Sequence, residues 1–103
     1  MIARLWRGLT AREGAATYER HITENVFPEL AGIAGHVGAY LLRREVADRT
    51  EFFVMTLWDS LDAIREFAGT EIDRAVVEPP AQEVLVEYDR QVRHFEVLKK
   101  PSV

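Results

Sequence analysis

The run Phe52-Phe53-Val54-Met55-Thr56-Leu57-Trp58 carries no charge and no polar–apolar alternation. β-Branched and aromatic residues in such a run favour a strand, and successive strand side chains point to opposite faces. Phe52, Val54, Thr56 and Trp58 then share one face, while Phe53, Met55 and Leu57 share the other. A strand covered on one side alternates; a strand covered on both sides does not. The fold must therefore supply two covers. A chain of 103 residues is long enough for one domain with a single core, not for two.

The rest of the chain shows what the covers are. Residues 2–9 predict a first strand, with Ile2, Arg4 and Trp6 on one face and Ala3, Leu5 and Arg7 on the other. Thr10 and Glu13 have capping-box spacing, which predicts a helix start. Ala15, Tyr18, Ile22, Val26, Leu30 and Ile33 form the apolar stripe of that helix. Pro28 predicts a kink inside it, and Gly32 and Gly35 end it. Residues 36–44 predict a second strand and 45–50 a polar connector, so the opening run closes an antiparallel hairpin. Asp59 or Ser60 caps a second helix with Leu61, Ile64 and Phe67 on its apolar side and Gly69 at its end. Residues 70–77 predict further helical turns closed by Pro79-Pro80; 81–88 is ambiguous, a short helix being one reading; 89–98 predict the last strand. The domain spans 1–98, followed by a tail at 99–103.

The order strand, helix, strand, strand, helix, strand predicts an α+β fold, a ferredoxin-like βαββαβ sandwich with a four-stranded antiparallel sheet. Both helices lie on one face of that sheet. The other face is apolar too, and it exceeds the few hundred Å² that soluble monomers usually leave bare. Its economical cover is a second copy, because two-fold dimers are the commonest oligomers. The expectation is a homodimer with sheets packed face to face.

Composition removes several function classes. The net charge is −4 with both signs interspersed, so the basic stripe that nucleic-acid binding needs is missing. Arg4 and Arg7 interrupt the N-terminal apolar run, and no run approaches the ~20 residues of a membrane helix. With no cysteine, disulfides, thiolate metal sites and cysteine nucleophiles are excluded, which fits a cytoplasmic protein. His21, His36 and His94 are scattered without metal-ligand spacing, so no metal and no cofactor are expected.

“MIARLWRGLT”, “FPELAGIAGHVGAYLLRR”, “FFVMTLWDSLDAIREFAG” and “VRHFEV” together resemble the antibiotic-biosynthesis-monooxygenase-like (ABM domain) proteins of the dimeric α+β barrel superfamily. The likeness spans nearly the whole chain. It implies dimers whose sheets close into one barrel, with a ligand cleft between helices and sheet in each subunit. It also implies a choice among cofactor-free oxygenases of polyketide phenols, quinol oxygenases, haem-degrading enzymes and members without known chemistry. The expected function is a cofactor-independent monooxygenase acting on a planar phenolic or quinone-like molecule. The alternative is a non-catalytic dimeric binding or accessory module on the same fold.

The haem-degrading branch is similar in using a first-strand asparagine, a second-helix tryptophan and a histidine ligand. Trp6, Phe67 and Val77 stand at those positions here, and valine cannot ligate iron. Haem degradation of that type is disfavoured.

Oxygenation without a cofactor needs a substrate that supplies the electron, usually as a phenolate. The site must then offer an apolar aromatic cavity, a base near the acidic hydroxyl, and donors for the resulting anion. His21, on the margin of the first helix, is the candidate base, with His94 as alternate. Trp6, Tyr18, Asn25, Trp58 and Phe67 are the candidate substrate-binding residues. Each has a plainer reading: His21 and Asn25 as solvated margin residues, His94 as a hydrogen-bonded core or interface residue, the tryptophans and Phe67 as packing. Arg4 and Arg7 sit in a strand whose faces are buried, so each must be paired or reach a cavity. Either a salt bridge to the partner subunit or an anion in the cleft would satisfy them.

Overall fold

The computed structural model describes residues 1–102. Strands β1 (Ile2–Ala11), β2 (His36–Val46), β3 (Arg49–Trp58), β4 (Leu85–Tyr88) and β5 (Arg93–Glu96) form one antiparallel sheet. β1 and β3 are central, paired from Ile2↔Trp58 to Ala11↔Arg49. β2 lies on the outer edge of β3, and β4 and β5 lie end to end along the free edge of β1. The sheet is therefore four strands wide, in the order expected of a ferredoxin-like sandwich. The last strand is broken: five residue steps separate Tyr88 from Arg93, against three between their partners Gly8 and Leu5. That bulge turns Val92 into the core, where it is 7% exposed.

Between β1 and β2 the chain is helical throughout: a short 3₁₀ turn, α1 (Ala15–His21), a π turn at Ile22–Val26, and α2 (Phe27–Ala31). The kink expected from Pro28 takes the form of this π turn. Proline offers no N–H to the preceding turn, so the helix widens ahead of it. The apolar stripe fits the same geometry. Tyr18, Ile22, Val26 and Leu30 follow in steps of four, which drift about 40° per step around an ideal helix. A wider turn takes up the drift and keeps all four on the sheet side.

The second helix, α3 (Leu61–Ala68), is capped by Ser60, whose hydroxyl accepts from Ala63 N at 3.2 Å, and ends at Gly69 with φ +81°. Its inner face is Ala63, Ile64 and Phe67; Leu61, expected there, is exposed. Ala63 packs where Gly35 leaves room, since a Cβ on Gly35 would sit 2.5 Å from the Ala63 Cβ.

Several local expectations are corrected. Thr10 belongs to β1 and makes no capping box, its hydroxyl being buried without a partner. Residues 70–77 are irregular, because tertiary bonds take their backbone groups: Ala75 N donates to Arg90 O and Val92 N to Asp73 O. Pro79-Pro80 start a helix, α4 (Pro79–Val84), instead of closing one. The fourth strand accordingly begins at Leu85, ahead of the expected 89.

The core is divided. Ala15, Tyr18, Ile22, Phe52, Ala81 and Leu85 pack as one cluster; Leu30, Trp58, Ala63 and Ile64 pack as another. Val26 and Phe27 touch both. The helix-facing side of the sheet is thus covered by the chain itself. On the other side Tyr40, Leu42 and Phe95 are each about half exposed, beside half-buried Leu5, Phe53, Met55 and Leu57.

Candidate functional site

A cavity of about 210 Å³ opens between the helices and the sheet. Its floor is Arg4 and Trp6 of β1 with Val54 and Thr56 of β3, and its roof is Tyr18, His21, Ile22 and Val26 around the π turn. Phe67 of α3 closes one side, and Val76, Val77 and Glu78 of the irregular segment close another. Tyr18, Ile22 and Ala81 come from one core cluster and Leu30 from the other, so the cavity is the seam between them. The wide turn explains the space, since a π segment pushes the helix wall outward where an α turn would let it settle on the sheet.

The aromatic wall is fixed by backbone as well as packing. Trp6 donates Nε1–H to Asp89 O at 2.8 Å, within the bulge of the last strand. Its ring lies over Gly8, where a Cβ would fall 2.4 Å from Trp6 Cη2. A side chain at position 8 would push the indole into the cavity. Tyr18 is 1% exposed and burial raises its pKa, so it stays a neutral phenol.

His21 borders the cavity with its side chain only 10% exposed. Nδ1 lies 3.2 Å from Asn25 Nδ2, and Nε2 lies 3.3 Å from Glu78 Oε1, a contact too poorly aligned for a hydrogen bond. When the Asn25 amide donates, Nε2 bears the proton and is a donor on the side of Glu78. With the amide rotated, Nδ1–H is the donor and Nε2 becomes the proton acceptor, with Glu78 beside it to stabilise the imidazolium.

Arg4 is 4% exposed on the cavity floor. Its Nη1 donates to Ile72 O and approaches His94 Nε2 at 3.0 Å, and its Nη2 donates to Arg74 O at 2.9 Å. The guanidinium also lies 5.7 Å from the centre of the Phe67 ring. Burial lowers its pKa to about 10, against a smaller upward pull from Asp73. A guanidinium can only donate, so His94 Nε2 accepts and its Nδ1–H faces Asp73 Oδ1 at 3.1 Å. Burial, then Arg4, lower the pKa of His94.

The structure therefore brings together Trp6, Tyr18, His21 and Phe67 around one cavity. Asn25 stands outside it and touches it only through His21. His94 lies behind Arg4, not on the wall. Trp58 is fully buried one layer behind, stacked on Phe67 at 5.9 Å with its N–H on Thr56 Oγ1. His36 packs edge-on against Trp58. Arg4 points into the helix side of the sheet, so the salt bridge to a partner subunit considered for it is corrected. Arg7 is on the opposite face, paired with Glu51 at 2.5 Å and Glu87 at 3.5 Å of its own chain. Glu78 was not foreseen; nothing in its local sequence sets it apart. Among the described residues no group of three metal-ligating side chains occurs, and no helix is long and apolar enough to cross a membrane.

A ferredoxin-like α+β sandwich with an aromatic cavity between helices and sheet is the class that fold and site define. Residues 2–79 match the family “Antibiotic biosynthesis monooxygenase”, and the chain belongs to that family. Solved structures extend the likeness over the full length. A Bordetella bronchiseptica protein provisionally assigned as such a monooxygenase has a TM-score of 0.67 at 17% identity, covering 95% of this chain and 97% of its own. A similarly assigned Deinococcus radiodurans protein gives 0.66 at 11% identity, covering 100% and 98%. The haem degrader MhuD of Mycobacterium tuberculosis gives 0.63 at 19% identity, covering 99% and 100%. At these identities the likeness establishes the fold. No curated protein matches the chain.

Proposed function

We propose that the protein is a cofactor-independent oxygenase of a small phenolic or quinol ring, with His21 as the base. The observation that carries this is an aromatic cavity bordered by one imidazole, with a carboxylate beside it. A phenol and dioxygen give a quinone and water, so the ring itself is the only reductant required. Removing the phenolic proton raises its electron density, and His21 with Glu78 behind it is placed to take that proton. At about 210 Å³ the cavity is larger than the roughly 150 Å³ that holds benzene and smaller than ordinary ligand pockets. It suits one ring, not a fused polyketide. Val77 on the cavity wall offers no ligand to haem iron, which argues against transferring MhuD's activity to this chain.

The working unit in this reading is a homodimer sealed through the bare sheet face. Tyr40, Leu42 and Phe95 supply the apolar area there. Arg7, Arg44, Glu51 and Glu87 form a neutral ion-pair group on the same face, so these four would be buried against a twin as a neutral group, with Arg93 exposed on the edge strand β5.

Oxygen uptake with a panel of single-ring phenols and hydroquinones tests the activity. His21→Ala should lower turnover at least ~100-fold while the circular dichroism spectrum is kept. Unchanged turnover removes His21 as the base. Binding without turnover by the intact protein favours the accessory-module reading.

A further inference from the structure

We infer that the cavity takes a single-ring aromatic acid whose carboxylate is held by Arg4. The inference builds on the reading of this cavity as an aromatic site, and names the anion that reading leaves open. Arg4 is the most buried arginine of the chain, and among the described residues no carboxylate lies within ion-pair distance of it. The arginines around the sheet face and edges are treated differently: Arg7 and Arg44 share Glu51, and Arg12 and Arg43 share Glu45.

Holding the irregular segment does not require a cation. The acceptors Ile72 O, Arg74 O and His94 Nε2 are all neutral, so none of them calls for a charge, and burying one carries a penalty. Those three bonds use both hydrogens of Nη1 and one of Nη2. Nε–H and the remaining Nη2–H have no protein acceptor among the described residues. A planar fork with free donors matches a carboxylate.

The other charges at the cavity are placed differently. Glu29 is exposed, and Glu78 faces His21, so both are screened or paired, whereas Arg4 lies on the floor. Phe67 and Trp6 flank Arg4 on the cavity wall, so a ring joined to the carboxylate has surfaces to pack on.

The test compares 4-hydroxybenzoate with its uncharged isostere 4-hydroxybenzamide by titration calorimetry on the intact protein. The acid should bind tenfold or more tighter than the amide, as expected of a charge-assisted contact in a buried site. Arg4→Gln, checked for folding by circular dichroism, should erase that preference. If Arg4→Gln does not fold, the comparison on the unaltered protein decides alone. Equal binding of acid and amide, stronger binding of the amide, or binding of neither at millimolar concentration overturns the inference. The outcome separates it from the oxygenase reading. Turnover of neutral phenols without acid preference leaves the oxygenase standing and removes Arg4; acid preference without oxygen uptake does the reverse.

Discussion

His94 shows how one side chain acquires a defined state from its neighbours. Arg4 can only donate, so the imidazole must be neutral to accept from it, and Asp73 takes the Nδ1–H. Protonation would set an N–H against the guanidinium. Burial and that neighbour lower the folded-state pKa, so the unfolded chain binds the proton first. The stability gained is present above the unfolded histidine pKa of ~6.5 and is lost as pH falls through the lower folded value. Urea midpoints between pH 7.5 and 5 should therefore fall more for the unaltered protein than for His94→Gln; parallel curves would remove this role. The residue scale also shows where sequence stops. Arg4 was conspicuous as a charge in an apolar strand, but alternation separates two faces without saying which one the helices cover. Glu78 reaches His21 from a segment with no local signal at all.

At the scale of elements, two similar signals had different outcomes. Ser60 and Thr10 both precede helices, yet only Ser60 caps one. Thr10 is retained by β1, where it pairs with Thr50 on one side and Leu85 on the other. Ser60→Ala should cost about 1 kcal/mol in chemical unfolding. Thr10→Val should be neutral or stabilising, because it replaces a buried hydroxyl without a partner. The reverse order would restore the capping box. Pro28 and the stripe in steps of four made the helix distortion legible; that it would be a π turn over a cavity was not. Residues 70–77 misled because their polar and β-branched mixture allows a short helix. Their backbone bonds go instead to Arg4 and to the bulged last strand, partners remote in sequence.

At the scale of the molecule, the sheet's outer face sets the next test. Sedimentation at micromolar concentration should give the mass of two chains, and Leu42→Glu, which adds a charge to that face, should shift it towards one. A stable single-chain mass for the unaltered protein would overturn the dimer and the neutral-cluster argument with it. The sequence by itself determined the order of β1, the kinked helix, β2, β3 and the Ser60-capped helix, and the two-sided β3, because periodicity and turn chemistry are local, and the resemblance of whole segments pointed to the family. Tertiary structure alone decided that a cavity exists, that Arg4 and His21 meet in it, and that Trp58 and His94 stand one layer behind. Those outcomes depend on how two core clusters fail to close over each other, and no residue carries that information alone.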